Sequence, residues 1–307
     1  MTAKAQQAHG LAAQVLPLAD GWAPTEDLYW LGDDQIGLVA ARRGAEGPDR
    51  GFLRITPDGA QEVALSLMDE SHCRRPDGSF LFRGQDGVTA WPSGAVATQD
   101  ELSACLGAFS AANDRFEPRF GRQEALARAG DLWAGVAGRG ADGAELLLYT
   151  ETETLGRWPV ALPLWQDTVI VDPLPDAAGF LIYPSFRAAR RAELRDSTPG
   201  IPVWRLQPGT DPQLVTVPWA AWNDEGLYRF VQTDAGLMAA LVTGYRAAGT
   251  DSGLYHQAAG WAQIRRSDIL PETLTLSPDG CRAAWLERDI DQTQGLPRLA
   301  IGDVCAF

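Results

Sequence analysis

The feature that most constrains this chain is one pattern that recurs six times: a turn rich in Asp, Gly or Pro leads directly into an apolar strand. The turn aspartates stand at positions 34, 77, 131, 176, 234 and 279. Turns of this composition between apolar runs are typical of β-hairpins. A second hairpin follows most copies, as around Thr56-Pro-Asp-Gly59. The chain is therefore predicted to consist of four-stranded antiparallel units.

The spacing of the pattern predicts how these units are arranged. Successive turn aspartates lie 43 to 58 residues apart, and four-stranded repeats of about 40–50 residues are the blades of β-propellers. We expect an all-β, six-bladed β-propeller forming a single domain over residues 1–307, with seven blades as the alternative. The expected blades span residues 20–66, 67–100, 119–162, 167–218, 226–268 and 272–307.

The two ends of the chain are expected to meet in one blade. The sixth repeat supplies only three strands before Phe307, and the strand at about 11–19 belongs to no repeat. Pairing this strand with the one that ends near Val304 would complete the last blade and remove two exposed sheet edges. We expect the ring to close in this way.

One segment between the second and third repeats has a helical pattern. Asp100 is a candidate N-cap, and Leu102, Cys105, Leu106 and Phe109 follow at helical spacing. We expect a short helical insertion over 101–112 at one rim, where it acts as a lid or packs against the blades.

The last turn carries a family resemblance. The segment Ser277-Pro-Asp-Gly-Cys-Arg-Ala-Ala-Trp-Leu-Glu287 resembles the repeat of TolB-like and prolyl-oligopeptidase-type propellers, and Arg75-Pro-Asp-Gly78 is a second copy. The resemblance implies a WD40-like propeller fold and no particular activity. The Gly-x-Ser-x-Gly motif of a hydrolase domain does not occur, so peptidase activity is not carried over.

Charge narrows the classes of partner. The net charge is −14 and the pI about 4.6, so the phosphate backbone of nucleic acids and anionic lipid surfaces repel the protein. We expect neither nucleic acid nor membrane as partner, and no span reaches the ~18 apolar residues of a membrane helix. We also expect a monomer without metal or cofactor.

Cysteine usage bears on the compartment. Cys73, Cys105, Cys281 and Cys305 show neither a Cys-x-x-Cys pair nor zinc-ligand spacing. We expect a reduced, cytoplasmic chain, with the periplasm as the alternative. A Cys73–Cys105 or Cys281–Cys305 disulfide would favour export.

Arginines at strand ends suggest a binding face. If the loops after the second strand of each blade share one rim, they bring together Arg42, Arg43, Arg187, Arg190, Arg191 and Arg246. The planar guanidinium suits carboxylate or phosphate recognition. We expect a non-catalytic binding or scaffold protein that recognises an anionic small molecule or an acidic peptide of another protein there. Pairing of these arginines with neighbouring carboxylates is the alternative.

Few residues could carry catalysis. His72 could act as a general base at the channel mouth, with Asp224 and Glu225 as further suspects, and Trp222 could stack on a ring of the ligand. A small-molecule hydrolase, lyase or cyclase at the channel mouth is therefore the alternative function. Packing and capping roles for the same residues remain open, and whether the protein is an enzyme is left undecided.

Overall fold

In the residues that it describes, the computed structural model consists of antiparallel β-sheets and one pair of α-helices. It describes residues 10–32, 34–45, 47–121, 123–140, 143–160, 168–175, 178–185, 200–218, 226–243, 252–288 and 295–305. No helix in these ranges is long and apolar enough to span a membrane.

The first sheet has seven strands in chain order. They are β2 (Ala23–Trp30), β3 (Ile36–Arg43), β4 (Pro48–Ile55), β5 (Gln61–Arg74), β6 (Phe80–Gly84), β7 (Gly87–Trp91) and β8 (Ala95–Ala97). The 14-residue strand β5 joins two four-stranded halves, because its N-terminal half pairs with β4 and its C-terminal half with β6. The register with β6 shifts between Leu67 and His72.

Three further sheets are four-stranded and also run in chain order. The first contains β9 (Gln123–Ala129), β10 (Leu132–Gly140), β11 (Gly143–Tyr149) and β12 (Thr154–Val160). The second contains β13 (Thr168–Pro173), β14 (Phe180–Ser185), β15 (Gly200–Leu206) and β16 (Gln213–Pro218). The third contains β17 (Gly226–Thr233), β18 (Gly236–Thr243), β19 (Gly253–His256) and β20 (Ala262–Arg266).

The last sheet contains both ends of the described chain. Its strands are β21 (Asp268–Leu276), β22 (Arg282–Arg288), β23 (Arg298–Asp303) and β1 (Ala13–Leu16). The strand β1 pairs antiparallel with β23, from Ala13 opposite Gly302 to Leu16 opposite Leu299. The pairing expected between the N-terminal strand and the strand near Val304 is therefore present.

The repeated turn motif folds in the same way at each of its clearest copies. In Ser277-Pro-Asp-Gly280, the amide of Gly280 donates to the Ser277 carbonyl at 2.8 Å, and Gly280 has φ of 72°. The Asp279 carboxylate accepts from the Ser277 hydroxyl and the Cys281 amide, and these bonds hold its pKa below the ordinary value. An aspartate that bonds its own turn and a glycine that tolerates positive φ explain why this sequence ends one strand and begins the next.

The sheets pack face to face because successive strand residues point to opposite sides. On β14, Phe180 and Ile182 pack in a core cluster with β10 and β11, whereas Leu181 and Tyr183 pack in a cluster with β17 and β18. Each sheet thus buries both faces, and this accounts for the nearly continuous apolar runs of the second strands.

Two helices connect β8 with β9. Helix α1 (Gln99–Leu106) begins with a capping box between Thr98 and Glu101, and helix α2 (Ala108–Phe120) contains Pro118 and ends before Gly121. The helical segment is thus longer than the 101–112 expected from the sequence.

The helices lie between two sheets. Leu102 of α1 packs on Leu81 and Val88 of the first sheet, and Phe116 of α2 packs with Trp133 and Tyr149 of the next. Each helix covers the sheet face that points toward the other sheet, so the pair joins the two sheets through helix side chains.

The cysteines correct one expectation. Cys73 on β5 is bonded to Cys105 on α1, and Cys281 is bonded to Cys305, with Cα–Cα distances of 6.0 and 4.8 Å. The expectation of a reduced chain was wrong because the fold brings together cysteines that lie 32 and 24 residues apart, a proximity that sequence spacing does not reveal.

Candidate functional site

One cavity of about 950 Å³ lies where the first strands of the repeats converge. Residues at or near the C-terminal ends of six strands line it, namely Trp30, Arg74, Leu126–Ala129, Asp172–Pro173, Arg229–Gln232 and Leu274–Leu276. Residues of the turns that follow these strands, among them Arg75, Gly130 and Pro278, complete the wall. A cavity of this size is at the upper end of the range for small-molecule sites.

The charge of the cavity is opposite to that of the protein. Its described lining contains four arginines, Arg74, Arg75, Arg128 and Arg229, and one carboxylate, that of Asp172. A local excess of cations in a chain of net charge −14 concentrates positive potential where low-dielectric walls strengthen it.

Arg74 is the cation in the cavity with the fewest polar partners. Its guanidinium lies 5.7 Å from the ring of Phe80, and no carboxylate of the described residues lies within ion-pair distance of it. Desolvation by the surrounding protein lowers the pKa of Arg74, although Tyr29 opposes that shift. Arg74 is nevertheless an exposed residue, so its desolvation is only partial.

The opposite charge in the cavity is already neutralised. A guanidinium nitrogen of Arg229 lies 3.2 Å from Asp172, and the hydroxyl of Tyr183 donates to the same carboxylate at 2.7 Å. Burial, with the nearby Asp172 charge, raises the pKa of Tyr183 well above its ordinary value, so Tyr183 stays protonated as a donor. Asp172 is therefore occupied by protein groups.

The other two arginines are held more loosely. Arg75 lies 3.4 Å from Glu101 of α1 in a partly exposed pair, which contributes little to stability. Arg128 donates to the carbonyl of Gly130 at 2.7 Å and lies over the ring of Trp133. Both keep donors that a bound anion can use.

Apolar side chains of the helix pair form one side of the cavity. Ala104 and Cys105 of α1 and Ala108 and Phe109 of α2 line it. The Cys73–Cys105 disulfide fixes this wall to β5, one residue before Arg74.

His72 lies on β5 among aromatic side chains. Its Nε2 is 2.8 Å from the hydroxyl of Tyr29, and its ring stacks on Phe82 at 5.5 Å. His72 is not part of the described cavity lining. Its proposed role as a general base stays a prediction.

The predicted rim arginines are described in part. Arg42 pairs with Asp49 at 3.2 Å and lies over Trp22 at 4.7 Å, and Arg43 is exposed. Both end β3, about 20 Å along the strand from Ile36, which pairs with Trp30 of the cavity. The residues Arg187, Arg190, Arg191, Trp222, Asp224, Glu225 and Arg246 lie outside the described residues.

The cavity arginines were missed by sequence reasoning. Arg74 is followed directly by Arg75, whereas Arg128 and Arg229 stand singly in the sequence, and only the convergence of the strands brings these arginines together. The available signal was an arginine near the end of a repeat's first strand in three repeats. Within the described ranges, no group of three or more His, Cys, Asp or Glu side chains could hold a metal ion.

The sheets and the cavity at their first strands define an all-β protein of the propeller type. Solved structures similar to this chain include TolB and the β-propeller domain of a protease, in agreement with the resemblance of the Ser-Pro-Asp-Gly repeat. The sequence matches no protein-family model and no curated protein.

Three solved structures illustrate the similarity. TolB from Acinetobacter baumannii is 14% identical with a TM-score of 0.40, and the alignment covers 90% of this chain and 65% of TolB. The β-propeller domain of the Trilobed protease from Pyrococcus furiosus is 8% identical with a TM-score of 0.45, covering 94% and 95%. A puromycin-hydrolyzing peptidase from Mycobacterium tuberculosis is 11% identical with a TM-score of 0.46, covering 94% and 56%. The chain thus spans under two thirds of TolB and of the peptidase, and the likeness concerns the fold alone.

Proposed function

We propose that this protein is a binding protein that takes an anionic small molecule into the cavity between the first strands. The observation that carries the proposal is the lining of four arginines against one carboxylate, since that carboxylate is already paired with Arg229 and Tyr183. A bound anion would give Arg74 the ionic partner that the described residues do not supply.

The donors of the cavity arginines suit an anionic ligand. Arg74 is exposed to the solvent of the cavity and has no carboxylate partner among the described residues, so an anion can reach its guanidinium directly. Charge-assisted hydrogen bonds from arginine to carboxylate or phosphate are about twice as strong as neutral ones. The cavity is therefore best suited to a carboxylate or phosphate group.

The experiment is an equilibrium titration with inorganic phosphate, sulfate and citrate at low ionic strength. Arg74→Gln should weaken binding of the best anion by about tenfold or more, because a hydrogen bond to a charged group contributes about 1.5–3 kcal/mol. The matched control is Arg83→Gln, since Arg83 lies on the same sheet, pairs with Asp69 and does not line the cavity. Failure of all three anions to bind, or equal binding by Arg74→Gln, would refute the proposal.

Stability gives an independent readout. If Arg74 is kept for a ligand, Arg74→Gln should leave the midpoint of urea denaturation unchanged or raise it, since the guanidinium has no carboxylate partner to lose. A clear loss of stability would indicate a structural role instead.

The architecture that we propose is a six-bladed ring closed by β1. The six strand ends around one cavity, the two halves of the first sheet that share β5 and the pairing of β1 with β23 support it. The loop-rich rim with the other arginines remains a second place for an anionic ligand or an acidic peptide, and the monomeric state remains a prediction.

The two disulfides bear on location. Bonds of this kind persist in oxidising compartments and are rare in the cytoplasm. We therefore infer the periplasmic alternative over the cytoplasmic one. Fractionation of the native organism tests this: cytoplasmic protein with four free thiols would contradict it.

A further inference from the structure

The junction of α1 and α2 presents an apolar surface that the protein does not cover. Phe109 is 45% exposed and Leu106 is 53% exposed, on either side of Gly107. Phe109 also begins the stripe that continues through Ala112, Phe116 and Phe120 of α2, at the helical spacing of one face. Phe116 and Phe120 pack against a sheet, but Phe109 extends past that contact and lines the cavity.

The wall around Phe109 is apolar and open. Ala104 and Ala108 have small side chains, and Leu126 and Trp133 continue the wall on the neighbouring sheet. Exposed apolar surface beside a cavity is characteristic of a ligand site.

The apolar wall and the cationic group lie close together. The Cys73–Cys105 bond sets the two Cα atoms 6.0 Å apart, and Phe109 follows Cys105 by four residues, across the helix junction at Gly107. Arg74 follows Cys73 directly, and Arg74 and Phe109 both line the same cavity. One small molecule can contact both the arginine and the phenyl ring.

We propose that the ligand is an amphipathic anion, in which an acid group contacts Arg74 and a hydrocarbon or aryl arm lies against Phe109 at the helix junction. This inference rests on the proposed function, and it adds the chemical class of the ligand. The geometry requires the charge and the apolar arm on the same molecule.

The test is a series of monoalkyl phosphates, from methyl through butyl to octyl phosphate, titrated into the full chain below their micelle concentrations. Burial of one methylene contributes about 0.8 kcal/mol, so affinity should rise with chain length by up to about fourfold per carbon. Phe109→Ser should flatten this dependence, measured in each protein as the ratio of octyl phosphate affinity to methyl phosphate affinity. Leu214→Ser is the control, because Leu214 is a 56% exposed apolar residue on β16 outside the cavity lining.

The outcomes separate the two proposals. If methyl phosphate binds and lengthening the chain brings no gain, or if the gain survives Phe109→Ser, the amphipathic ligand is refuted while anion binding stands. If 1-octanol binds as tightly as octyl phosphate, the charge is not required and the inference also fails. If no phosphate binds, the proposed function itself is wrong.

Discussion

Removal of the Glu287 carboxylate should destabilise the protein far more than removal of a carboxylate from an exposed ion pair. Arg265 on β20 forms a two-pronged ion pair with Glu287 on β22 at 2.9 and 2.5 Å, and the indole of Trp285 donates to the same carboxylate at 2.8 Å. The side chains are only 19% and 3% exposed. The pair thus joins two neighbouring sheets from inside the core.

The magnitude follows from burial. Loss of one partner of a buried pair costs about 3–5 kcal/mol, because the remaining charge stays buried without compensation. Glu287→Leu should therefore lower the free energy of unfolding by about 4 kcal/mol. With an unfolding entropy of about 2.1 cal/mol/K per residue over 307 residues, this corresponds to a Tm lower by about 6 °C.

A second pair in the same protein provides the control. Arg157 and Glu145 have the same two-pronged geometry, but their side chains are 49% and 32% exposed. Glu145→Leu should cost less than about 1 kcal/mol, as is usual for exposed pairs. Urea denaturation followed by tryptophan fluorescence measures both variants under the same conditions.

The double variant Arg265→Met/Glu287→Leu completes the test. It removes both charges, so most of the stability should return. If Glu287→Leu costs no more than Glu145→Leu, or if the double variant is as unstable as the single one, the reasoning from burial is wrong.

Three other predictions concern different parts of the fold. Mass spectrometry of the unreduced protein should find no free thiol, and the Cys73→Ser/Cys105→Ser variant should lose about 3.7 kcal/mol, the loop-closure term for 33 residues; four alkylatable thiols would contradict this. Burial lowers the pKa of His256 in the folded protein. As the pH falls, His256 of the unfolded chain is therefore protonated before His256 of the folded chain. Stability should therefore fall as the pH drops below about 6.5, and His256→Gln should lose that part of the pH dependence in urea titrations from pH 8 to 5; parallel profiles would refute the assignment. The side-chain amide of Asn113 on α2 donates to the carbonyl of Gln123, the first residue of β9, at 2.8 Å and accepts from its backbone N–H at 2.9 Å. Asn113→Ala should therefore lower the free energy of unfolding by about 2–3 kcal/mol and speed hydrogen exchange in α2. Unchanged exchange in α2 would count against this anchoring role.

The repeat could be read from the sequence because local chemistry determines it. A Ser-Pro-Asp-Gly turn folds through bonds within four residues, as those of Asp279 show, so its position marks the start of a second strand without knowledge of the rest. The end-to-end pairing could also be expected, because an unpaired strand and an incomplete sheet require each other.

The end of the helix pair could not be predicted from local sequence. The apolar spacing that predicted the helix runs only to Phe109, so the expected segment ended near 112, yet α2 continues through Pro118 to Phe120. Packing of Phe116 and Phe120 against Trp133 and Tyr149 provides the stabilisation that local propensity does not. Tertiary contacts of this kind are invisible in one sequence.

The candidate site was harder to predict than the fold for the same reason. Clusters such as Arg187, Arg190 and Arg191 attract attention because they are adjacent in sequence. Arg74 and Arg229 are separated by more than half the chain, and Arg229 stands alone in a largely apolar strand. Only the convergence of strand ends makes them neighbours of one cavity.

The unbroken course of β5 has a mechanical consequence. Its two ends share one backbone, so the two halves of the first sheet cannot separate without breaking main-chain hydrogen bonds. Between the first sheet and the next, the connection through α1 and α2 consists of side-chain packing, and a disulfide fixes α1 to β5 alone. Deformation of the assembly should therefore concentrate at this softer joint, and the wall that would yield first is the one that carries Phe109.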